Sequence, residues 1–272
     1  AEISDYTYEV LKLFMLGTIA RVFRPGIKFE VMLCLVGGQG AGKSTFFRFL
    51  AMKDDWFTDD LKKMDDENVY RKLQGHLIVE FPEMVAILNA KNVEDTKSFM
   101  SRQKDTYKTP YDKHPKDHKR QCVFAGSSNS LDFLPMDRSG NRRFLPIQCN
   151  VNEAEVHILD DEKVSREYIA QMWAEAMEIY RSGNYMLKLP KKTQEELCEY
   201  QKRFMQEDTK KELILDYLEH CKGNMVCSRL LYAEALGNDG SPAQWEIREI
   251  NDIMNNCSGW IAFTNPRYFP SP

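Results

Sequence analysis

No stretch of this 272-residue chain approaches the roughly 20 consecutive apolar residues that a membrane-spanning helix needs, so a helical membrane protein is excluded at the outset. No charged, then apolar, then small-residue series opens the chain, as a secretory signal would. Cys-x-x-Cys is missing too, and seven cysteines is an odd number, so no disulfide framework is expected. Cys34, Cys122 and Cys149 fall in apolar, strand-like runs and read as inert packing. His220, Cys221, Cys227 and Cys257 match no zinc spacing. These absences together predict a reducing, cytoplasmic setting. The chain starts at Ala1 rather than Met, and an excised fragment with a partner domain upstream is expected. Neither sign of charge dominates: the formal net charge is −4, which gives no global nucleic-acid signature and leaves room for a local one. No internal repeat or low-complexity tract occurs. What remains is an ordinary globular composition, 43% hydrophobic and 29% charged, and enough chain for one large domain or two smaller ones.

The most informative stretch runs from Val31 to Leu50, VMLCLVGGQGAGKSTFFRFL. An apolar strand (Met32 to Val36) leads into a glycine turn and then an apolar helix (Phe46, Phe47, Phe49, Leu50). Gly37, Gly42, Lys43 and Ser44 fit the P-loop pattern in the strand–turn–helix context that gives the pattern meaning. The chemistry requires this spacing. Glycines let backbone N–H groups turn inward onto phosphate oxygens where a Cβ would intrude. The helix starting near Lys43 aims its N-terminal dipole at the same anion. The expected phosphate contacts are Gly37, Gly38, Gln39, Gly40, Ala41, Gly42, Lys43, Ser44 and Thr45. Lys43 would reach the β- and γ-phosphates, and the Ser44 hydroxyl would bind Mg²⁺. The motif specifies a bound nucleoside triphosphate and nothing finer.

Downstream, His76 to Glu83 (HLIVEFPE) reads as a buried strand ending in acids, stopped by Pro82. A carboxylate at a strand's C-terminal end beside a P-loop holds Mg²⁺ through water, and a second one polarises the attacking water. Glu80 is favoured for the metal side and Glu83 for the water side, with the reverse assignment open. The plain alternative is a strand capped by solvated acids. Arg102 to Arg120 carries seven Lys/Arg against three Asp, interleaved with Tyr107, Tyr111, His114 and His118. Bases with aromatics suit a single nucleic-acid strand, with charges on phosphates and rings on bases. Pro110 and Pro115 predict a loop or hairpin, and a merely solvated loop is the competing reading. Gln121 to Asn129 reads as another buried strand with a small polar tip, where Asn129 would contact the γ-phosphate or position water. Asp137 to Arg143 reads as a Gly-Asn turn delivering Arg142 and Arg143 to a strand at Phe144. One of the two would face a nucleotide, in this subunit's site or a neighbour's, and the plain alternative is a surface ion-pair turn.

The rest reads as mostly helical. A helix is expected over residues 5 to 23, broken at Arg24-Pro25-Gly26. Another is capped by Ser165, carries Ile169, Met172, Trp173, Ala176, Met177 and Tyr180 as core, and stops near Gly183. Thr193 to Glu196 reads as a capping box. Three short helices (Leu213 to His220, Ser228 to Leu236, and one from Ser241-Pro242) and a strand at Trp260 to Phe263 suggest a winged-helix module. Its third helix would expose Glu246, Glu249 and Asp252, which repel phosphate. The expected organisation is an N-terminal helical segment (1–30), an α/β P-loop core with a parallel sheet (31–150), a helical segment (151–207) and a winged-helix-like module (208–272).

The ordered series of P-loop, acidic strand end, basic-aromatic segment, Ser-Ser-Asn strand end and Gly-Asn-Arg-Arg resembles the virulence-associated protein E family of phages and genomic islands. These proteins look like superfamily 3 helicases of the AAA+ type. The resemblance runs from about Leu11 to Trp260, on RVFRPGIKFEVMLCLVGGQGAGKST, GHLIVEFPEM, TYKTPY, SGNRRFLPI and EINDIMNNCSGW. It implies a three-layer αβα ATPase core that assembles as a ring, a homo-hexamer, with ATP and Mg²⁺ between subunits. Lys43, Glu80, Glu83 and Asn129 would then be catalytic, with Arg142 or Arg143 reaching across as a finger. Lys104, Lys108, Tyr111, Lys113 and His114 would occupy the place of a DNA-contacting hairpin, with single-stranded or forked DNA as partner and a primase domain or protein upstream. The separation of Glu80 from Glu83 departs from the adjacent acids common in superfamily 3, which leaves the base unassigned. The implied function is an ATP-dependent DNA helicase or translocase in replication of a mobile element. The alternatives are an ATP-switched initiator or regulator and, with no acceptor-pocket signature, a small-molecule kinase.

Overall fold

The first strand, β1 (Met32–Val36), is buried at every residue, as the run MLCLV requires of a strand covered on both faces. The computed structural model that shows this describes residues 4–61, 69–88, 93–135, 141–154, 156–205, 208–221 and 223–263. Two compact units form, 1–206 and 207–272.

In the first unit, α1 (Asp5–Phe23) starts at the Ser4 cap and ends where Arg24-Pro25-Gly26 turns away, with Gly26 at φ 84°. β1 then runs into α2 (Lys43–Leu50) through the glycine turn. β2 (Phe57–Thr58), α3 (Val69–Lys72), β3 (Ile78–Phe81), α4 (Met84–Ile87) and α5 (Val93–Ser101) follow. Next come β4 (Lys104–Tyr107), β5 (Lys116–Lys119), β6 (Val123–Ser128) and β7 (Phe144–Gln148). The unit closes with α6 (Glu162–Ser182) and α7 (Lys191–Gln201).

Five strands make one parallel sheet in the order β2-β3-β6-β1-β7. β1 sits between β6 and β7, so its C-terminal end opens beside strands reached by long crossovers. Such a point in an open α/β sheet leaves a crevice. Side-chain parity builds the layers. Leu33, Leu35, Ile78, Val123 and Ala125 pack with α1, α2 and α6 on one face, while Met32, Cys34, Val36, Val79, Phe81 and Phe124 pack with Phe99, Phe133 and Phe204 on the other. Phe47 and Leu50 of α2 are fully buried, each worth about 1.5–3 kcal/mol relative to exposure. This is the expected three-layer α/β fold. Pro146 is tolerated because β7 is an edge strand.

Several local expectations need correction. α6 begins at Glu162 behind an Asp161 cap, while Ser165 lies buried inside it with its hydroxyl on the Ile158 carbonyl. α7 begins at Lys191 after Pro190, which places Thr193 in the first turn rather than at a cap; the fixed proline φ starts the helix earlier. Cys149 lies just past β7 and is half-buried. In the acidic stretch after α2, whose charges read from the sequence as a solvated face, Asp54 accepts hydrogen bonds from Arg48 and Arg166 at 2.7 and 3.1 Å. Residues 62–68 of that stretch lie outside the described residues.

The second unit contains α8 (Thr209–His220), α9 (Ser228–Leu230, continued by a wider π turn over Leu231–Ala235) and α10 (Gln244–Asn255) around Ile214, Leu231, Ile250 and Ile253. α10 starts after Ala243, whose N–H is held by Glu246 at 2.7 Å. Glu249 pairs with Lys210 at 2.7 Å, so Glu246 and Glu249, both expected to face solvent, are engaged within the unit. Trp260 to Phe263 is not a strand; among the described residues this unit has no strand to pair with it, and Ile261 is exposed. The three helices of the winged-helix expectation are present, and among the described residues no wing strand is. Among the described residues no helix is long and apolar enough to cross a membrane, and no cluster of His, Cys, Asp and Glu suits a metal ion.

Candidate nucleotide site

Everything the P-loop needs from neighbouring strands arrives at the C-terminal edge of the sheet. β1 delivers Gly37, whose N–H donates to the Ser128 carbonyl at 3.1 Å. A Cβ on Gly37 would lie 2.4 Å from the Cys149 carbonyl oxygen, so only glycine lets the loop leave the sheet here. Gly42 turns the chain into α2 at φ 73°. Gly38, Gln39 and Gly40 are exposed, and Ala41 and Thr45 are half-exposed along the same rim.

Lys43 folds back onto its own loop. Its ammonium donates to the carbonyls of Gly37 and Gly38 at 2.7 and 2.8 Å and to Asn129 Oδ1 at 2.9 Å. Burial pushes its pKa down, against the pull of Cys149 and Glu80. The Lys43–Asn129 contact ties the P-loop to the polar tip of β6, so two residues 86 positions apart share one site.

Glu80 occupies the third position of β3 and is fully buried. Its Oε1 accepts from Ser44 Oγ at 2.8 Å and from Ser127 Oγ at 2.6 Å. Its Oε2 is buried and has no hydrogen-bond partner among the described residues. Burial pushes the carboxyl upward in pKa, while the Ser127 and Ser44 hydroxyls pull it down. A serine hydroxyl beside a carboxylate with one unsatisfied oxygen is a donor set for a hard divalent cation and its waters, so these residues fit Mg²⁺.

Glu83 is placed differently. It is exposed, adopts left-handed backbone angles (φ 55°, ψ 60°) and caps α4. Non-glycine residues seldom hold this conformation, and it costs on the order of 1–3 kcal/mol. Met84 seats against Gly126, where a Cβ would meet its sulfur at 2.2 Å, and this packing fixes the turn. Pro82, Glu83, Ser127, Ser128 and Asn129 line a cleft of about 330 Å³ with the P-loop. A larger cavity of about 550 Å³ opens beside Gly42 and Lys43, walled by Tyr8, Phe46, His157 and Tyr168.

Arg142 and Arg143 are not in this cleft. They immediately precede β7, whose Phe144 pairs with Met32 at the start of β1. They therefore sit at the N-terminal edge of the sheet, a five-residue strand away from Gly37, or about 16 Å at about 3.3 Å per residue. Arg143 lies 3.6 Å from Glu30 and is mostly covered, whereas Arg142 is 74% exposed. The turn residues 136–140 lie outside the described residues.

The basic-aromatic segment forms the expected hairpin, with Lys104 opposite Lys119 and Tyr107 opposite Lys116. Its strands join the core at that same N-terminal edge, just ahead of β6. Lys108, Tyr111, Lys113 and His114 are exposed on the connecting loop, with Tyr111 at φ 72°. Lys104 instead pairs with Asp117 at 2.5 Å on the strands. The root is clamped by Arg120, which grips Asp105 through two 2.7 Å hydrogen bonds, both side chains being 1% exposed. Stacked rings run from Phe99 through Tyr70 and Tyr107 to His118, and Phe124 is tilted against Phe99.

Sequence reasoning missed Ser127 and the Asp105–Arg120 clamp. Ser127 carried a signal, being a hydroxyl at the same strand parity as Val123 and Ala125. The clamp carried none, since Arg120 reads as one more base in a basic run.

Residues 1–206 match the model of the virulence-associated protein E-like domain; the EINDIMNNCSGW stretch lies beyond that match. A comparison with curated proteins finds no match. Among solved structures, the apo NrS-1 C terminal region (305-718) is 18% identical with a TM-score of 0.52, over 90% of this chain and 66% of that one. The A form of the same region is 16% identical with a TM-score of 0.48, over 91% and 70%. The chain thus spans about two thirds of the structures it resembles, and that likeness bears on fold alone. Taken with the sheet and P-loop described above, the family match places the chain plainly: it belongs to the virulence-associated protein E-like domain family.

Proposed function

We propose that the chain is an ATP-driven DNA motor, a helicase or translocase serving replication of a phage or mobile element, with ATP hydrolysed between subunits of a ring. The observation that carries this reading is the split between the two edges of the sheet. Lys43, Ser44, Glu80, Glu83 and Asn129 gather at one edge, while Arg142, Arg143 and the basic hairpin leave from the other. No arginine of the pair reaches its own P-loop, so a head-to-tail contact supplies it from a neighbouring copy. A heterologous contact of that kind forms a ring when the rotation between copies closes.

In this reading the P-loop amides cradle the phosphates, and Lys43 exchanges the Gly37 and Gly38 carbonyls for phosphate oxygens. The base lies in the larger cavity. Ser44 and Glu80 would hold Mg²⁺, which would supply neutralisation of the phosphate charge. Glu83, at the cleft wall, accepts the proton of the attacking water, and Asn129 orients that water. Arg142, the more exposed of the pair, stabilises charge on the transferring phosphoryl group from across the interface. The hairpin loops of successive subunits hold one DNA strand through Lys108, Lys113 and His114, with Tyr111 stacking on bases.

Steady-state ATP hydrolysis across protein concentration, with and without single-stranded DNA and with Lys43→Ala as control, tests this. A specific activity that rises with concentration and with DNA is expected. A concentration-dependent rate that ignores DNA points instead to an ATP-switched initiator or regulator. A rate independent of both overturns the ring motor.

A further inference from the structure

We propose that Ser127 is the positioning residue for Glu80, orienting its carboxylate for the divalent cation; this rests on the Glu80 role given above. Glu80 is fully buried in the third position of a strand, where a carboxylate without partners is costly. Two hydroxyls converge on one of its oxygens, Ser127 Oγ at 2.6 Å and Ser44 Oγ at 2.8 Å. The two donors differ in kind. Ser44 opens α2 on the exposed side of the loop, and its oxygen is the one that would also face the metal. Ser127 is 6% exposed on the central strand β6, at the wall of the same cleft. Register explains why it reaches: Glu80 pairs with Ala125, and Ser127 follows two residues later on the same face of the neighbouring strand. A diagonal neighbour at that spacing lies within side-chain reach.

The consequence is geometric. With Oε1 fixed by an interior donor, the carboxylate plane cannot turn about its last torsion, and Oε2 stays the acceptor without a partner among the described residues. Ser44 alone would not do this, because in the proposed function its hydroxyl is shared with the metal. Ser127 thus keeps the carboxylate in place through the cycle by acting on Glu80.

The test is Mn²⁺ binding to the full chain in the presence of a non-hydrolysable ATP analogue, read by electron paramagnetic resonance, alongside ATPase kinetics. Ser127→Ala is expected to weaken Mn²⁺ binding about tenfold and to lower kcat by a similar factor, the usual consequence of losing a hydrogen bond to a charged group. The KM for ATP should stay within about twofold, because the phosphate cradle is untouched. Ser127→Thr keeps the hydroxyl and should restore both values; Ser127→Cys keeps the volume with a weak donor and should behave like Ser127→Ala, which covers an alanine variant that fails to fold. Mn²⁺ affinity and kcat unchanged in Ser127→Ala, or in Ser127→Cys should the alanine variant not fold, overturn the proposal. Glu80→Gln separates the two layers. Wild-type metal binding and turnover in Glu80→Gln would remove the assigned role of Glu80 itself. A defective Glu80→Gln beside a normal Ser127→Ala removes only the role of Ser127.

Discussion

At the scale of single residues, the site is built from backbone that tolerates no Cβ and from buried polar atoms with few partners. Gly42 shows the first. Its φ of 73° lies where L side chains are strained, and an added Cβ would stand 2.5 Å from Ile158. Gly42→Ala is therefore expected to cost about 1–3 kcal/mol of stability through overpacking and backbone strain, and to tilt the first turn of α2 off the phosphate position. Thermal denaturation with and without nucleotide checks this: the variant should melt lower and lose its nucleotide-induced stabilisation. A variant stabilised by nucleotide as much as the parent would show that the loop adapts. Glu80 shows the second point. Its two serine donors come from α2 and β6, so the site's electrostatics depend on the sheet being formed.

At the scale of elements, the hairpin is an arm fixed at its root. Arg120 donates to Asp105 twice, and also to the Phe99 carbonyl, so both hairpin strands and α5 meet at one buried guanidinium. Its guanidinium also lies over the rings of Phe99 and Phe124, 4.5 and 5.3 Å from their centroids. Breaking a buried pair from one side leaves an uncompensated charge. Asp105→Ala is expected to cost about 3–5 kcal/mol, whereas replacing Asp105 and Arg120 together with apolar residues of similar volume should recover most of that loss. Urea denaturation of the single and double variants measures both. A single variant within about 0.5 kcal/mol of the parent would mean that water reaches the pair. A rigid root also implies that the loop bearing Tyr111 and Lys113 moves with its subunit rather than by bending at the strands.

For the whole molecule, the separation of the P-loop from Arg142 makes a specific demand. One chain lacking Lys43 and another lacking Arg142 should each be inactive alone, yet an equimolar mixture should regain activity. In mixed assemblies some interfaces pair an intact Lys43 with an intact Arg142. ATPase rates of Lys43→Ala, Arg142→Ala and their mixture, measured at concentrations where the chain self-associates, give the answer. Full activity of Arg142→Ala alone, or no recovery at any mixing ratio, would place the arginine outside the reaction.

The sequence by itself determined the parts that are local or periodic. The P-loop was legible because its spacing is a backbone requirement and its flanks are a strand and a helix. The buried strands were legible from continuous apolar runs, α1 from its helical spacing, and the hairpin from Pro110, Pro115 and the charge change. Local signals were weaker at helix starts. Thr193 and Ser165 both suit a cap, yet Pro190 and Asp161 open the helices because the preceding chain sets the entry direction. They failed at Trp260 to Phe263, since a strand exists only when another strand pairs with it. Tertiary structure alone decided which polar groups meet. Ser127 reaches Glu80 through strand register, Lys43 reaches Asn129 through the crossover order, and Asp105 finds Arg120 because the hairpin closes. It also decided that Arg142 and Arg143 lie at the far edge from the P-loop, because a parallel sheet sends the residues before its strands to one edge and those after them to the other.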